Sequence, residues 1–382
     1  MRCLPLPPSG RRVGQPRRRA NVRSDILVRT GQHFGPWTLK ARLGRGGNGE
    51  VWRAASAEGD VVAIKFLTKL RPVAYQRFRR EVRTLESAGG MKGVLPIIDA
   101  HLPSRPSPAV PPWFSMPEAT PLEKRLRART LGAVVEVIAS LANTLAVLHG
   151  RGIAHRDIKT SNLYWYLDEW CVGDFGLVDL ADGLDLTRTG EEVGPKWSIA
   201  PEMRRNAWAA DGTLADVYSL AKVLWILVSG EPRGFEGQYV PSSASIGLRR
   251  YVGGSEYVLD LDEILVRCTD HAPANRMSMR QFQEALRSWQ RTVREYHTLS
   301  LSAWGGVLRT LFPLARPQRV RWERLDDVVR VLQLIASAPD GNHMFYPSGG
   351  GNDLGHVRLA SEPGYIELRA GSLRGPSGGA SI

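Results

Sequence analysis

Two polar motifs on either side of a short predicted hairpin constrain this chain more than any other feature. Residues 155–162 read HRDIKTSN, and residues 174–176 read DFG. The runs 163–166 and 169–172 between them have the pattern of two short strands joined by a tight turn. The hairpin should therefore bring the two motifs side by side.

The acidic and amide side chains of these motifs suit a site for Mg²⁺ with a triphosphate. Asp157, Asn162 and Asp174 bring together the hard oxygen atoms that such a metal prefers, and the aspartate not bound to the metal is then available to accept a proton from a hydroxyl group. Taken singly, each residue has an ordinary explanation as a turn residue or a helix cap. Their joint order and spacing favour the chemical interpretation.

A glycine-rich segment precedes these motifs. Residues 43–51 read LGRGGNGEV, and backbone N–H groups in a G-x-G-x-x-G loop can approach phosphates without an intervening Cβ. Glycines at this spacing also occur by chance or in hairpins. Here the segment joins two β-like runs, Trp37–Leu43 and Gly49–Ala54, and does not lead into a helix, which fits a flap over a nucleotide.

Further strands are predicted at Val61–Leu67, Val94–Ile98 and Trp113–Met116, and the first of them contains a lysine. Burying Lys65 would be costly without anionic partners, and a phosphate together with a carboxylate would satisfy it. Glu81, in the predicted helix Ala74–Leu85, is the best carboxylate, although by itself it resembles an ordinary exposed helix residue.

In this order the motifs resemble the eukaryotic-type (Hanks-type) Ser/Thr protein kinases, a family also found in bacteria. The resemblance covers about residues 36–290 and includes Ala200-Pro201-Glu202, Arg276, and Asp216 at the start of an apolar helix. It implies an α+β, bilobal protein-kinase fold over residues 34–293, with a small β-rich N-lobe carrying one helix and a larger helical C-lobe.

The resemblance also implies residue roles. Asp157, Lys159 and Lys65 would be catalytic, Asn162 and Asp174 would hold Mg²⁺ or Mn²⁺, and Glu202, Asp216 and Arg276 would be structural. The residues expected to lie around ATP are Leu43, Gly44, Arg45, Gly46, Gly47, Asn48, Gly49, Glu50, Val51, Ala63, Lys65, Glu81, Met116, Glu118 and Ala119. The implied activity is transfer of the γ-phosphate of Mg-ATP to Ser or Thr hydroxyls of protein substrates.

Autophosphorylation of the activation loop is a further expectation. Arg156 precedes the catalytic Asp157, and an arginine there calls for an anion. Thr187 and Thr189 are the candidate phosphorylation sites. Alternatively, the nearby Glu191–Glu192 pair supplies the negative charge permanently.

Two features depart from the family pattern. Pro195 stands where typical Ser/Thr kinases have a threonine that contacts Asp157 and Lys159, so peptide selection is in question. The proline-rich insertion Pro103–Pro112 should lie away from the active site and affect only the surface. A pseudokinase or scaffold that binds ATP or a partner without turnover is an alternative, as is a small-molecule kinase of related fold.

The flanking regions differ from the central domain. Residues 1–33 are a basic, Arg/Pro/Gly-rich arm expected to be disordered. The last helix of the central domain is predicted at Ser278–Val293, and the composition changes around residue 294. Residues 294–382 combine an amphipathic helix, Glu323–Ala336, with a hairpin at 357–360 and 365–368. They should form a small C-terminal α+β module that docks on the helical lobe or on a protein partner, or that stands as a separate domain.

Composition excludes some partners. The net charge is +13, but about +7 of it lies in the basic arm, and arginine outnumbers lysine 43 to 8 along the whole chain. This bias argues against a nucleic-acid surface. The sequence contains no run of 18 apolar residues, so a membrane span is not expected. Three cysteines without metal-ligand spacing favour a reducing, cytoplasmic location.

Overall fold

The fold has two lobes, as the α+β bilobal prediction requires. The computed structural model describes residues 27–46, 49–127, 130–177, 197–206, 209–252, 258–313, 322, 324–337, 354–359 and 366–370. A β-sheet with one long helix forms the first lobe, and helices dominate the second.

Six antiparallel strands form the sheet of the first lobe in the order β1-β2-β3-β4-β6-β5. They are β1 (His33–Phe34), β2 (Trp37–Arg45), β3 (Gly49–Ala55), β4 (Val61–Leu67), β5 (Asp99–His101) and β6 (Trp113–Pro117). Leu39, Trp52 and Phe66 are buried in the core of this sheet, because alternate side chains of a strand share one face.

The helix of the first lobe, α1 (Pro72–Ser87), lies against this sheet. Phe78, Val82 and Leu85 are buried at the spacing of one helix face, and the ring of Phe78 packs on that of Phe114 in β6. At the start of the helix, the Tyr75 hydroxyl donates a hydrogen bond to the backbone carbonyl of Pro103. The prediction that the proline-rich insertion affects only the surface is therefore wrong.

The second lobe is built around two apolar helices. Its helices are α2 (Leu122–Arg125), α3 (Leu131–Gly150), α4 (Pro201–Asn206), α5 (Gly212–Ser229), α6 (Leu259–Cys268) and α7 (Met279–Leu311). The first turn of α3 is capped by the Thr130 hydroxyl, and that of α5 by the Asp211 carboxylate. By length and composition α3 and α5 are long and apolar enough to cross a membrane, but most of each apolar stretch is buried in the lobe. Core packing accounts for their hydrophobicity.

A three-stranded antiparallel sheet places the two polar motifs. Its strands are β7 (Thr120–Pro121), β8 (Leu163–Tyr166) and β9 (Glu169–Val172). The predicted hairpin is confirmed with the same bounds, and its turn residues Leu167 and Asp168 have φ of 46° and 59°, as a type I′ turn requires. The sheet thereby holds residues 155–162 and 174–176 at the same end of the hairpin.

Three predicted element bounds are corrected. The strand expected at Val94–Ile98 is wrong, because Val94 and Leu95 pair with Val172 of β9 and the strand that joins the N-lobe sheet is β5. Asp216 does not open its helix, because α5 begins at Gly212. The helix predicted to end at Val293 continues to Leu311.

The flanking regions follow the predicted elements in part. Val28 is buried in the N-lobe core, and β1 includes His33, so residues 27–33 belong structurally with the sheet and not with a disordered arm. The described C-terminal elements are α8 (Leu325–Ser337), β10 (Leu354–Leu359) and β11 (Ile366–Ala370), the last two paired antiparallel as the hairpin prediction states. The rest of the arm, residues 1–26, lies outside the described residues. The division into a kinase domain and a C-terminal module stays a prediction, and its boundary at 293/294 falls inside α7.

Lys222 of α5 is fully buried in the second lobe. Its Nζ donates to the backbone carbonyls of Phe235, at 2.9 Å, and Gly237, and lies over the Phe235 ring. Burial lowers the pKa of Lys222 to about 6, the positive charge of Arg204 adds to this effect, and Glu236 opposes it. The side chain thus ties the loop after α5 to the lobe core.

Lys222 should make the stability of the protein depend on pH. Between about pH 6 and pH 10.5 the unfolded chain holds a proton on Lys222 that the folded chain releases, so the free energy of unfolding rises with pH across this window. Lys222→Met should reduce that slope between pH 7 and pH 9 by about 1.4 kcal/mol per pH unit. Urea unfolding at pH 7, 8 and 9 measures it, with the exposed Lys40→Met as the control. Equal slopes for Lys222→Met and the wild type would contradict the prediction.

Candidate active site

Lys65 of β4 connects the two lobes. Its Nζ donates to Glu81 Oε1 of α1 at 2.6 Å and to Asp174 Oδ1 at 2.9 Å. Glu81 is buried, and the side chain of Asp174 is 41% exposed. The predicted Lys65–Glu81 pair is therefore formed, and the DFG aspartate lies at the same ammonium.

The pKa values of the two carboxylates around Lys65 are shifted in opposite directions. Burial raises the pKa of Glu81 to about 7, and Asp174 adds to the rise while Lys65 opposes it. Burial would also raise the pKa of Asp174, but the ammonium of Lys65 outweighs it and lowers this pKa to about 2. Burial would lower the pKa of Lys65, but Asp174 and Glu81 outweigh it and raise this pKa above its usual range. Asp174 is thus a carboxylate, and Lys65 a cation, at neutral pH.

Asp157, Lys159 and Asn162 form a second cluster. Lys159 Nζ donates to Asp157 Oδ2 at 2.7 Å, and Asn162 Nδ2 donates to the same oxygen at 3.0 Å and to the Asp157 carbonyl at 2.9 Å. Burial raises the pKa of Asp157 above its ordinary value, although Lys159 opposes the shift. A carboxylate so placed is a better proton acceptor than a fully solvated one.

Backbone contacts join the two clusters. Gly173 N donates to the Asn162 carbonyl at 2.9 Å, and His155 Nε2 lies 3.0 Å from the Gly173 carbonyl. The Phe175 ring is buried against the imidazole of His155. Asp174 has a φ of 64°, a left-handed backbone that non-glycine residues seldom adopt. The loop is thereby held in the turn that directs this carboxylate to Lys65.

Asp216 of α5 forms hydrogen bonds with the backbone of the first motif, residues 155–162. It is fully buried in α5 and accepts hydrogen bonds from the backbone N–H groups of His155 and Arg156, at 2.7 and 2.6 Å. His149 Nε2 of α3 lies 2.9 Å from the same carboxylate. These bonds hold Arg156 at a φ of 66°, and the left-handed turn there orients Asp157.

The glycine-rich segment forms the tight connection from β2 to β3. Gly46 N donates to the Gly49 carbonyl at 2.9 Å. A Cβ on Gly49 would lie 2.4 Å from the Phe66 carbonyl, whereas Cβ atoms on Gly44 and Gly46 would meet nothing within 4 Å. Close strand packing thus requires glycine at 49, and open space above Gly44 and Gly46 leaves room for a ligand. Gly47 and Asn48 lie outside the described residues.

The other residues predicted to contact the nucleotide from β2 and β3 differ in how exposed they are. Leu43 and Arg45 are exposed on β2, and Val51 is half-buried on β3. Glu50 is buried and accepts a hydrogen bond from Trp52 Nε1 at 3.0 Å, so its carboxylate is engaged within the sheet.

Ala63 of β4 and Met116 of β6 are paired across the sheet, which places these two predicted adenine contacts side by side. After β6 the chain continues through Glu118 and Ala119, both half-buried. Glu118 forms an ion pair with Arg53 of β3 at 2.7 Å, a tether that sequence reasoning missed.

Glu202 and Arg276 meet as the resemblance implies. Arg276 donates from Nη1 and Nη2 to the two carboxylate oxygens of Glu202, at 2.6 and 2.9 Å. Its guanidinium also bonds the carbonyls of Asp270 and Leu214 and lies over the Tyr218 ring. This buried pair joins the segment after the DFG loop to the core of the second lobe.

Comparison with known proteins agrees with this geometry. A family model described as "Protein kinase domain" matches residues 37–286. The chain belongs to the protein kinase family. This kinase chain is 32% identical over 209 residues to the serine/threonine-protein kinase AfsK of Streptomyces coelicolor, and 33% identical over 219 residues to PknH of Mycobacterium tuberculosis.

Both relatives are much longer than the shared region. Each alignment covers 53% of this chain but only 25% of AfsK and 33% of PknH. Two crystal structures of the Mycobacterium tuberculosis PknI kinase domain superpose on 69% of this chain with a TM-score of 0.50, at 23% and 24% identity, and cover 100% and 99% of those chains. At this identity the likeness shows the fold alone, which is the protein-kinase fold.

Three predicted features of this kinase domain lie outside the described residues. They are the phosphorylation candidates Thr187 and Thr189 and the departure at Pro195. Sequence reasoning also missed three contacts in the described part, those of Tyr75, His149 and Lys222. Only Lys222 carried a signal, as the one charged residue among the apolar positions 217–228.

Proposed function

We propose that the chain is a Ser/Thr protein kinase that transfers the γ-phosphate of Mg-ATP to Ser or Thr hydroxyls of proteins. The observation that carries the proposal is the position of Lys65, which bonds Glu81 and Asp174 at once. A cation held between a helix carboxylate and a loop carboxylate is poised to bind phosphate oxygens, and phosphoryl transfer depends on such positioning.

The residues fit a nucleotide with a divalent cation. Asn162 and Asp174 offer oxygen atoms, the donors that Mg²⁺ and Mn²⁺ prefer. Within the described part of the chain no group of three or more His, Cys, Asp or Glu side chains could hold a metal, so phosphate oxygens would have to complete the coordination. Bound there, the cation would neutralise charge on the phosphates.

The chain's own residues would then share the remaining work. Asp157 would orient the substrate hydroxyl and accept its proton, and its raised pKa favours acceptance. Lys159, 2.7 Å from Asp157, would stabilise negative charge near the transferred group. Gly44 and Gly46 would allow the backbone to approach the phosphates.

A phosphotransfer assay on the purified full chain tests the proposal. With radiolabelled ATP, Mg²⁺ and a Ser/Thr-containing protein substrate, the wild type should label the substrate, and Asp157→Asn should be slower by about 10²–10⁴-fold. Asp168→Asn is the matched control, because Asp168 lies exposed in the β8–β9 turn and asparagine tolerates its left-handed backbone. A wild type that binds ATP without transfer would establish the scaffold alternative.

The same labelled protein tests regulation. We propose autophosphorylation at Thr187 or Thr189, and mass spectrometry of the ATP-treated chain identifies the modified residue. Full activity with both threonines unmodified would favour the permanent charges of Glu191 and Glu192. We also propose that residues 294–382 dock on the helical lobe or on a protein partner, and that the protein is cytoplasmic.

A further inference from the structure

The proline-rich loop between β5 and β6, residues 102–112, contacts both elements that carry the Lys65–Glu81 pair. Near its start, the hydroxyl of Tyr75 in α1 donates to the Pro103 carbonyl at 2.5 Å. At its end, Leu67 N, in the last residue of β4, donates to the Pro112 carbonyl at 3.2 Å. One loop therefore connects the helix that carries Glu81 to the strand that carries Lys65.

This loop is built to be stiff. Five of its eleven residues are proline, each with a restricted φ: Pro103, Pro106, Pro108, Pro111 and Pro112. Its tip is closed by reciprocal backbone hydrogen bonds between Ser107 and Val110, at 3.2 and 3.0 Å. A stiff loop bonded at both ends can hold two elements at a constant separation.

The start of α1 has Pro72 at its first helical position but lacks a side-chain cap. Its N-cap residue, Arg71, makes no side-chain capping bond, and the first turn contains no acidic residue to interact with the helix dipole. By contrast, α3 and α5 have Thr130 and Asp211 as caps. The position of the first turn of α1, which contains Tyr75, therefore depends on contacts from outside the helix.

A shift at Tyr75 would reach the active site through the helix itself. Tyr75 and Glu81 lie six residues apart in continuous α1, a rise of about 9 Å. We propose that residues 102–112 brace α1 against β4, and that Tyr75 is the positioning residue through which this brace keeps Glu81 on Lys65. This positioning role concerns the kinase activity proposed above and rests on that proposed function.

Steady-state kinetics of the full chain test the role of Tyr75. Tyr75→Phe removes only the hydroxyl and should lower kcat/KM for ATP about fivefold, the effect expected of one lost hydrogen bond. Tyr251→Phe is the matched control, because the Tyr251 hydroxyl also donates to a backbone carbonyl, that of Ser245, at 2.7 Å in the second lobe. That variant should stay within 1.5-fold of the wild type, on the order of the error of such assays.

A double-mutant cycle distinguishes positioning from general destabilisation. If Tyr75 acts through Glu81, then Tyr75→Phe should have no further effect on kcat/KM in a Glu81→Gln background. An equal fivefold loss in both backgrounds would overturn the positioning role. So would wild-type kinetics for Tyr75→Phe itself.

Hydrogen exchange provides a readout that does not require catalysis. Amides of α1 should exchange about fivefold faster in Tyr75→Phe than in the wild type or in Tyr251→Phe. Unchanged exchange would overturn the brace. If the wild type showed no phosphotransfer, the proposed function would fail, and the exchange result would still decide whether the loop braces α1.

Discussion

Replacing Lys65 by methionine should lower kcat for phosphoryl transfer by about 10²–10³-fold, the loss typical when one preorganised charged donor is removed from a transition state. The substitution keeps an unbranched side chain of nearly the same length but removes the bonds from Lys65 to Glu81 and Asp174. The fold should survive, because burial already raises the pKa of Glu81 to about 7 and this carboxyl can take up a proton when its partner is lost.

Lys40→Met is the matched control for this measurement. Lys40 lies exposed on β2 of the same sheet, so its loss should leave kcat unchanged. Circular dichroism and thermal unfolding establish that the Lys65→Met variant is folded. A folded Lys65→Met enzyme within tenfold of the wild-type kcat would contradict the assigned role of Lys65, and with it the observation on which the proposed function rests.

Arg276→Met should destabilise the second lobe by about 3–5 kcal/mol, the typical effect of breaking a buried ion pair by removing one partner. The Arg276 side chain has no exposed surface, and it donates to both oxygens of Glu202 as well as to three backbone carbonyls. Its loss leaves a carboxylate with 18% exposure and these carbonyls without their donor.

Urea unfolding with Arg267→Met as the control measures this effect. Arg267 is exposed on α6, and surface substitutions usually change stability by less than about 0.5 kcal/mol. Activity should fall together with stability, because α4 begins directly after residues 197–200 of the segment that follows the DFG loop. If Arg276→Met unfolded at the same urea concentration as Arg267→Met, the pair would have no structural importance.

The catalytic motifs were predictable because each is encoded locally. The hairpin between residues 163 and 172 has its predicted bounds, since a short turn and two β-rich runs determine its register without help from distant residues. The Gly-rich connection from β2 to β3 is local for the same reason. The reason for Gly49 was not predictable, because the carbonyl that excludes a side chain there belongs to Phe66 of the neighbouring strand.

The end of α7 was predicted from composition, although a proline further along the chain indicates the observed end. A change in composition near residue 294 suggested that the helix ends at Val293, but the chain contains no helix-breaking residue there. The helix ends at Leu311, two residues before Pro313, because proline does not continue a helix. Composition describes a region, whereas a helix ends where the backbone can no longer continue it.

Short motifs and hydrophobic periodicity were enough to predict the family and the two lobes, which the comparisons and the fold confirm. The set of residues expected around the phosphates follows from the same motifs and stays a prediction. The folded structure was needed to see that Lys65 contacts Asp174, 109 residues away, that Lys222 is buried on backbone carbonyls, and that Tyr75 of α1 bonds the proline-rich loop. Local sequence patterns specify which helix or strand forms. Which side chains meet depends on how elements far apart in the chain pack together, and a local pattern contains no information about that packing.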